Sequence, residues 1–315
     1  MSWLSRGKLG RAWQEVRRHD YQVAGDDEDF LLVTWDSCRY DAYQQARTPV
    51  LDRHAVVQKG WAMATYTLPA HQAMFSGFLP HVFEPLPFYN RYVQQLWRIS
   101  HRNVHTKPLV TFTEGTETIV QGLRRRGYAT IGVAAMEWFA DRGSLQSGFG
   151  WFRVTGTKAR EQIEMLLDQI VRRARRRPCF AFVNFGETHS PFRYAGMSTT
   201  EDDVDRKVSL SRLFNQRGVR DDGQTLDRAL FARQVACAEY LDERMAKLLE
   251  YFQTRGRPTT VIVCADHGEC LGEQGLYGHA FHHEKVMEVP ILIFRLNAPP
   301  HAAPQPSIVA QKKCA

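Results

Sequence analysis

The residues best suited to chemistry in this chain of 315 residues lie between two apolar runs, in the stretch VIVCADHGECLGEQGLYGHAFHHEKVMEVPILIF at positions 261–294. Asp266 and His267 directly follow the first run, and three more histidines follow within sixteen residues. A carboxylate beside an imidazole is a common ligand pair for divalent transition metals. The pattern predicts either a metal site at the end of a strand or a solvated loop that is rich in histidine.

Other polar groups also follow apolar runs. Asp36 follows the run FLLVTW, and Thr67 follows a strand-like segment, in an expected turn that holds Pro69. Glu187 and His189 belong to the stretch GETH, which follows CFAFVNF. Taken one at a time, an Asp after a strand is commonly a helix cap and a Thr before a proline is commonly a turn residue. Their joint placement favours one site shared with the Asp-His pair.

Such a site needs a scaffold that brings the ends of several strands together. The chain alternates apolar strand-like runs with helical patterns, which predicts an α/β fold with a mostly parallel central sheet and helices on both faces. In sheets of this kind, ligand sites lie beyond the carboxyl ends of the strands. The candidate groups meet this rule, because they all follow strand-like runs.

Local signals predict the bounds of several elements. Thr116 is expected to cap a helix that ends at Gly127. A second helix is expected over residues 158–177, and a long amphipathic helix is expected over residues 226–256. Residues 80–110 carry several prolines and aromatic residues, so an irregular excursion is expected there.

The composition along the chain predicts one large domain with three additions. We expect a basic N-terminal helical extension over residues 1–28 and a catalytic domain over residues 29–298. An insertion in that domain is expected near residues 192–225, where the sequence is polar and lacks a steady period. Residues 299–315 have the composition of a disordered tail.

The charge and the cysteines restrict the class of protein. Lys and Arg outnumber Asp and Glu by 41 to 34, a net charge of +7, which favours an anionic partner. Nucleic acid is not favoured, because the chain carries no nucleic-acid-binding motif. Six scattered cysteines without a C-x-x-C pair predict reduced, buried thiols. No apolar run is typical of a secretion signal or a membrane span, so a soluble cytoplasmic protein is expected.

Four stretches resemble, in chain order, the successive motifs of the alkaline phosphatase superfamily, and of its sulfatase-like branch in particular. They are LLVTWDSCRYD, TLPAHQAMFSGFLP, NFGETHSPF and ADHGECLGEQGLYGH followed by VPILIF. The last is the most specific, with D-H-G-E-x-L-G-E and a further His twelve residues after the first, and it is similar to that of the phosphoethanolamine transferases. The resemblance covers residues 29–296 and implies an alkaline-phosphatase-like fold.

The resemblance also implies a metal site and a nucleophile. Asp36, Asp266 and His267 would bind one divalent metal ion, with Thr67 as the fourth ligand. This ligand set suits zinc or manganese and is also compatible with calcium. The expected course is in-line attack by Thr67, a covalent phospho-threonine, and release to water or to another acceptor.

Three histidines receive roles from the same resemblance. His189 and His279 would hold the oxygens of the anionic substrate, and one of them would protonate the leaving group. His71 stands where sulfatases carry an arginine. It is expected either to face the nucleophile and bind substrate or to be a core or capping residue.

Two departures from the family pattern narrow the chemistry. Position 67 is not a cysteine, so the formylglycine of sulfatases cannot form, and sulfate-ester hydrolysis by the usual route is not expected. None of the twelve histidines follows an Asp by four residues, the element that builds a second metal site in phosphodiesterase-type relatives. One metal ion is therefore expected, with Glu187, His282 and His283 as candidates for a second site.

These observations together lead to three functional hypotheses. The first is a soluble metal-dependent hydrolase of phosphate mono- or diesters or of phosphonates, which acts on an anionic small-molecule or lipid-like substrate. The second is a phosphotransferase similar to the phosphoethanolamine transferases, in which an acceptor replaces water. The third is a non-catalytic member that binds an anionic ligand or a partner protein, and the intact set of predicted ligands argues against it.

Overall fold

The computed structural model describes residues 27–77, 97–100, 109–112, 118–140, 144–197 and 226–297. The strands are β1 (Asp29–Trp35), β2 (Gln58–Trp61), β3 (Trp97–Ser100), β4 (Leu109–Phe112), β5 (Ala129–Ala134), β6 (Trp151–Val154), β7 (Cys179–Phe185), β8 (Thr259–Cys264), β9 (Cys270–Leu271), β10 (Tyr277–Gly278) and β11 (Glu288–Leu296). The α-helices are α1 (Tyr40–Gln45), α2 (Pro49–Asp52), α3 (Thr67–Ser76), α4 (Ile119–Arg125), α5 (Ala159–Arg173), α6 (Arg228–Arg255) and α7 (Glu284–Met287).

Seven of the strands form the central sheet, in the order β2-β11-β8-β1-β7-β5-β6. The strands from β8 to β6 in this order are parallel, whereas β11 is antiparallel to both of its neighbours. Strand β7 is buried along its whole length, which is typical of a parallel strand covered on both faces. The predicted α/β fold with a mostly parallel sheet is confirmed.

Alternate residues of β1 enter two separate apolar clusters. Leu31 and Val33 belong to the larger cluster, which also contains the inner faces of α5 and α6. Phe30 and Leu32 pack against the smaller cluster, which contains residues of α3 and α4. Because successive strand side chains point to opposite faces, the two clusters lie on the two sides of the sheet. Helices therefore cover both faces, as predicted.

The long helix α6 has clear signals at both ends. The Asp227 side chain accepts hydrogen bonds from the backbone N–H groups of Ala229 and Leu230, at 3.0 and 3.1 Å. At the other end Gly256 adopts a left-handed conformation with a φ of 72°, which glycine does at little cost. The predicted amphipathic helix is thus present within two residues of its expected bounds.

Two predicted helix bounds are wrong. Helix α4 is capped by Thr118 instead of Thr116, because Thr118 and Gln121 form a capping box: each side chain accepts a hydrogen bond from the backbone N–H of the other. Helix α5 ends at Arg173 instead of position 177. The chain must reach Pro178 before β7 begins, and the residue before a proline is disfavoured in a helix.

The excursion predicted over residues 80–110 contains regular structure. Strands β3 and β4 pair antiparallel, with Trp97 opposite Phe112 and Ser100 opposite Leu109. Their sequences, WRIS and LVTF, are rich in the branched and aromatic residues that favour strands. Most of the N-terminal extension, most of the insertion near residues 192–225 and the C-terminal tail lie outside the described residues, and the predicted domain bounds stay predictions.

Candidate metal centre

Two neighbouring strands deliver three of the candidate ligands to one edge of the sheet. Asp36 directly follows β1, and Asp266 and His267 follow β8 after one intervening residue. Strands β1 and β8 pair in parallel, with Thr34 in register with Cys264. Their carboxyl ends therefore open on the same side, where the sequence predicted the site.

Thr67 reaches this edge from the start of a helix and not from the predicted turn. Helix α3 begins at Thr67, and Pro69 lies within its first turn. Proline is tolerated there, because the first N–H groups of a helix have no partner within the helix. The positive end of the helix dipole lies at Thr67, which favours negative charge on its hydroxyl oxygen.

The polar atoms of these four residues are close enough to share one ion. Thr67 Oγ1 is 3.4 Å from Asp36 Oδ2 and 3.5 Å from His267 Nε2. His267 Nε2 is 3.5 Å from Asp266 Oδ2 and 3.9 Å from Asp36 Oδ1. In a tetrahedral zinc site with bonds of about 2.0–2.1 Å, neighbouring ligand atoms lie about 3.3–3.4 Å apart. The four donors thus need little movement to surround a transition metal ion.

Asp266 has one satisfied and one unsatisfied carboxylate oxygen. Its Oδ1 accepts hydrogen bonds from the backbone N–H groups of Ser37 and His267, at 3.1 and 2.9 Å. Its Oδ2 is buried and has no hydrogen-bond donor among the described residues. Burial, and second the neighbouring Asp36 carboxylate, raise the pKa of Asp266 well above its ordinary value. A bound dication would offset both effects and supply the partner that Oδ2 lacks.

His267 is arranged as a neutral metal ligand. Its Nδ1–H donates to the Gly268 carbonyl oxygen over 2.9 Å, which leaves the lone pair of Nε2 directed at the two carboxylates and Thr67. Burial is the largest cause that lowers the pKa of His267 well below its ordinary value, with the neighbouring His279 as the next cause. Within the described residues, Asp36, Asp266 and His267 are the only group of three such side chains with ligand atoms all within 4.8 Å.

The structure places His189 and His279 at the border of this cluster. Their ring centroids are 5.2 Å apart, and the His279 centroid is 4.4 Å from that of His267. Both side chains are partly exposed, unlike the four ligand candidates. His189 Nδ1–H donates to the Ser190 carbonyl oxygen over 2.6 Å, and His279 Nδ1 is 3.5 Å from Glu269 Oε1. This position suits the predicted contacts with an anion, and those roles stay predictions.

His71 lies beneath the cluster, in the apolar core. Its ring is fully buried and packs edge-on against Phe139 and Phe182, with centroids 4.9 and 5.7 Å away. Both ring nitrogens have protein partners, Thr34 and Thr67. Burial lowers the pKa of His71 to about 4, so the ring is neutral at neutral pH. Of the two expectations for His71, this geometry favours the core residue over the substrate contact.

The three candidates for a second metal site have other positions. Glu187 is buried and its Oε1 accepts the backbone N–H of Ala159 over 2.7 Å, at the start of α5. His283 caps α7 by accepting the backbone N–H of Lys285 over 3.1 Å. His282 is exposed and lies beside Trp61, with centroids 6.3 Å apart. Within the described part of the chain, none of the three joins the cluster of ligand candidates.

A buried arginine connects the two loops that carry the ligands. Arg39 is 1% exposed and donates two hydrogen bonds to the carboxylate of Asp41, at 2.8 and 2.7 Å. Its Nη1 forms an ion pair of 2.6 Å with Glu273 and donates to the carbonyl oxygen of Glu269. The loop after β1 and the loop after the Asp-His pair are thereby held together.

Sequence reasoning did not single out Thr34 and Asn184, which support the cluster from below. Asn184 Nδ2 donates to Asp36 Oδ2 over 3.2 Å and to Thr34 Oγ1 over 3.1 Å. Each is a polar residue inside an otherwise apolar strand. A buried polar group needs a hydrogen-bond partner, so these interruptions of the apolar runs were the signal available in the sequence.

The chain matches a known protein family over most of its length. A family model described as Sulfatase matches residues 28–310. No curated protein sequence matches the chain. None of the described helices is long and apolar enough to cross a membrane.

Several solved structures share the fold. The C-terminal periplasmic domain of phosphoethanolamine transferase EptC from Campylobacter jejuni is similar with a TM-score of 0.59 and 14% identity, over 85% of this chain and 79% of that one. The C-terminal periplasmic domain of EcEptC from Escherichia coli, in complex with zinc, gives 0.55 and 12%, over 86% and 73%. Phosphonate monoester hydrolase of Agrobacterium radiobacter gives 0.54 and 15%, over 84% and 68%.

Proposed function

The chain belongs to the sulfatase family, and from that premise we propose that it is a metal-dependent hydrolase of phosphate esters or phosphonates with Thr67 as the nucleophile. The observation that carries the proposal is the position of the Thr67 hydroxyl, 3.4 Å from Asp36 Oδ2 and 3.5 Å from His267 Nε2, at the start of a helix. A threonine cannot become formylglycine. An alcohol nucleophile supports phosphoryl transfer instead of the usual sulfatase chemistry.

Asp36, Thr67, Asp266 and His267 would hold one divalent ion. When bound, the ion lowers the pKa of the attacking hydroxyl and offsets negative charge on the phosphoryl oxygens. The donor set of oxygens and one imidazole suits zinc or manganese and is compatible with calcium. Zinc receives additional support from the zinc complex of EcEptC, which shares the fold. Elemental analysis of the purified protein tests this assignment, with about one equivalent of metal expected.

The proposed covalent step forms one bond and breaks one. Thr67 Oγ1 attacks phosphorus in line with the leaving oxygen, so the Oγ1–P bond forms as the bond from phosphorus to the leaving oxygen breaks. Asp36 Oδ2 is positioned to accept the hydroxyl proton of Thr67. The leaving oxygen takes a proton from His189 or His279, the two histidines at the border of the cluster.

Hydrolysis then returns the protein to its starting state. A water molecule attacks phosphorus of the phospho-threonine, and the histidine that gave up its proton accepts one from this water. The bond from phosphorus to Thr67 Oγ1 breaks, and Oγ1 regains its proton from Asp36 Oδ2. The net charge of +7 supports an anionic small-molecule or lipid-like phosphate ester as the substrate.

Transfer to an acceptor other than water is the second candidate. It is favoured by the D-H-G-E-x-L-G-E motif and by the shared fold with phosphoethanolamine transferase EptC. The same phospho-threonine would then be attacked by an acceptor hydroxyl.

The cytoplasmic location expected from the sequence stays a prediction, which cell fractionation tests.

The deciding experiment is a substrate panel with two Thr67 variants. An aryl phosphate, an aryl phosphodiester, an aryl phosphonate and an aryl sulfate are compared for wild type, Thr67→Ala and Thr67→Ser. We expect Thr67→Ala to lose about 10³-fold or more in kcat and Thr67→Ser to retain a measurable rate, because only the latter keeps a nucleophilic hydroxyl. Peptide mass analysis after rapid quenching should find the phosphoryl group on Thr67.

Each outcome separates the candidates. Full activity of Thr67→Ala contradicts the nucleophile assignment, and preference for the aryl sulfate contradicts the substrate class. Faster product formation when an alcohol is added, with the phosphoryl group recovered on that alcohol, favours transfer over hydrolysis. Anion binding without turnover of any substrate favours the non-catalytic alternative.

A further inference from the structure

A continuous line of buried hydrogen bonds connects Asp36 with Thr67 below the site. It runs through Asn184, Thr34 and His71. Asn184 Nδ2 lies 3.2 Å from Asp36 Oδ2 and 3.1 Å from Thr34 Oγ1. Thr34 Oγ1 lies 3.0 Å from His71 Nε2, and His71 Nδ1 lies 2.8 Å from the backbone oxygen of Thr67. All five residues are at most 1% exposed.

One assignment of protons satisfies every bond in this line. The Asn184 amide nitrogen can only donate, so Thr34 Oγ1 and Asp36 Oδ2 accept. The Thr67 carbonyl oxygen can also only accept, so His71 Nδ1 carries the ring proton and donates it there. Nε2 of the neutral ring then has no proton, so it accepts the Thr34 hydroxyl proton. The line is satisfied by a neutral His71 in a single tautomer.

The positions of these residues follow from the strands and the core. Thr34 and Asn184 are partners in the parallel register of β1 and β7. Thr34 and Asp36 are two residues apart, so their side chains lie on the same face. The ring of His71 is held edge-on by Phe139 and Phe182, and its Nδ1 also lies 3.6 Å from Asp266 Oδ2. His71 thus projects from α3 to the sheet directly below the ligand candidates.

We propose that His71, with Thr34 and Asn184, positions the Thr67 nucleophile against the Asp36 carboxylate, and that His71 does not contact substrate. The proposal rests on the proposed role of Thr67. The Thr67 hydroxyl comes from α3 and the Asp36 carboxylate comes from β1, so their relative position depends on how the helix start is attached to the sheet. His71 supplies that attachment through Nε2, which accepts the Thr34 hydroxyl of β1, while its Nδ1 holds the Thr67 carbonyl oxygen of the same helix. Asn184 holds Asp36 from β7.

Substitution of Asn184 and substitution of His71 should affect different properties of the protein. Groups that hydrogen-bond to metal ligands typically change metal affinity or activity by about 10–100-fold. Asn184 contacts Asp36 itself, so its loss should weaken metal binding. His71 contacts the backbone of Thr67, so its loss should disturb the attacking oxygen more than the binding of metal or substrate.

Three variants test the role of His71. His71→Gln places an amide oxygen near the position of Nε2, where it can accept the Thr34 hydroxyl, and His71→Leu removes both ring nitrogens. Phe75→Leu is the matched control, because Phe75 is a buried residue of the same helix with its ring centroid 6.2 Å from that of His71. Each variant is measured for kcat and KM with an aryl phosphate, for zinc affinity by competition with a chromophoric chelator, and for thermal unfolding.

We expect His71→Leu to lower kcat by about 10–100-fold with KM and zinc affinity within about 3-fold of wild type. His71→Gln should recover kcat to within about 5-fold of wild type, because the bond from α3 to Thr34 of β1 is kept. Asn184→Leu should lower zinc affinity by about 10–100-fold. Phe75→Leu should reduce thermal stability without a selective loss of kcat.

The proposal is overturned if His71→Leu matches Phe75→Leu in kcat, or if His71→Gln is as slow as His71→Leu. If His71→Leu does not fold, Thr34→Val removes the same line at its centre, and unchanged kcat and zinc affinity in that variant also overturn it. Thr67→Ala separates this failure from that of the proposed function. Loss of activity in Thr67→Ala together with unimpaired His71→Leu refutes the positioning role alone, whereas full activity of Thr67→Ala refutes the nucleophile.

Discussion

Buried carboxyl groups in this protein differ in the cations or hydrogen-bond donors that offset their negative charge. Asp29 forms an ion pair of 2.6 Å with Arg255, and Asp242 accepts two backbone N–H groups of α2 at 2.9 Å each. Asp266, in contrast, lies beside the carboxylate of Asp36 and has one oxygen with no donor among the described residues. A buried pair of carboxylates is costly without compensation, and a bound cation would supply that compensation.

The ionisation of Glu187 should make the free energy of unfolding depend on pH. Burial raises its pKa to about 7 from an ordinary value of 4.5. Between these two values the folded protein binds a proton that the unfolded chain has released, so the free energy of unfolding falls as pH rises from 4.5 to 7. Glu187→Gln cannot ionise and should be more stable than wild type at pH 8, by on the order of 1–3 kcal/mol.

Denaturant unfolding at several pH values checks this prediction. Below pH 4.5 the variant and wild type should have the same stability, because Glu187 is protonated in both states. Glu161→Gln is the control, because Glu161 lies in the first turn of the same helix α5 and its side chain is 59% exposed. Parallel pH profiles for wild type and Glu187→Gln would contradict the assignment.

At the scale of elements, the glycine of the D-H-G-E motif permits a close approach of two segments. The backbone N–H of Gly268 donates to the Val286 carbonyl oxygen over 2.7 Å, and a Cβ at position 268 would overlap the carbonyl oxygen of Lys285. This contact holds the start of α7 against the loop that carries Asp266 and His267. The glycine therefore determines where that loop can lie.

Gly268→Ala should disturb the metal centre through this contact. The added methyl group meets backbone that cannot rotate away, so we expect a loss of about 1–3 kcal/mol in unfolding free energy together with weaker zinc binding. Denaturant unfolding and zinc titration measure the two effects. Gly122→Ala in α4 is the control, because no described residue lies within 4 Å of its added Cβ and alanine favours a helix by about 0.5–1 kcal/mol. Equal behaviour of the two variants would exclude a special role for Gly268.

The errors in element bounds also have a physical explanation. The sequence predicted a turn at Thr67, because a threonine before a proline is common in turns. In the structure that proline lies in the first turn of α3, where its missing N–H has no cost. Similarly, two threonines were available to cap α4, and the one followed three residues later by a glutamine is the cap.

At the scale of the whole molecule, a bound metal would connect three distant parts of the chain. Asp36 follows β1, Thr67 begins α3, and Asp266 and His267 follow β8. The unfolded chain cannot hold these groups together. Metal binding should therefore stabilise the folded state, by about 2.7 kcal/mol when free metal is 100-fold above its Kd.

Chelation tests this coupling without any substrate. Removal of metal should lower the midpoint of thermal unfolding by several degrees, and added zinc should restore it. Asp266→Asn should have a midpoint that depends much less on zinc, because the oxygen without a donor no longer carries charge. The coupling is absent if wild type and Asp266→Asn respond to zinc by the same amount.

The fold was largely predictable because a parallel sheet has strong local signals. The inner strands β1, β5, β7 and β8 are short apolar runs, and the connecting segments include helices with clear caps or an apolar face. Strand β11 was recognisable as a strand, but its antiparallel direction was not, because direction depends on where the preceding loop returns the chain. The pairing of β3 with β4 was missed for a similar reason, since two runs of four residues resemble loop sequence.

The amino-acid sequence by itself determined which groups meet at the carboxyl edge of the sheet. Asp36 and the Asp266-His267 pair follow short apolar runs that are typical of buried parallel strands, and the carboxyl ends of parallel strands share one edge. Only the tertiary structure decided which way the other side chains point. Whether His71 faces substrate or core, and whether Asn184 supports Asp36, depends on the register of β1 with β7 and on the packing of α3. Both bring together residues more than thirty positions apart, and no local pattern specifies such contacts.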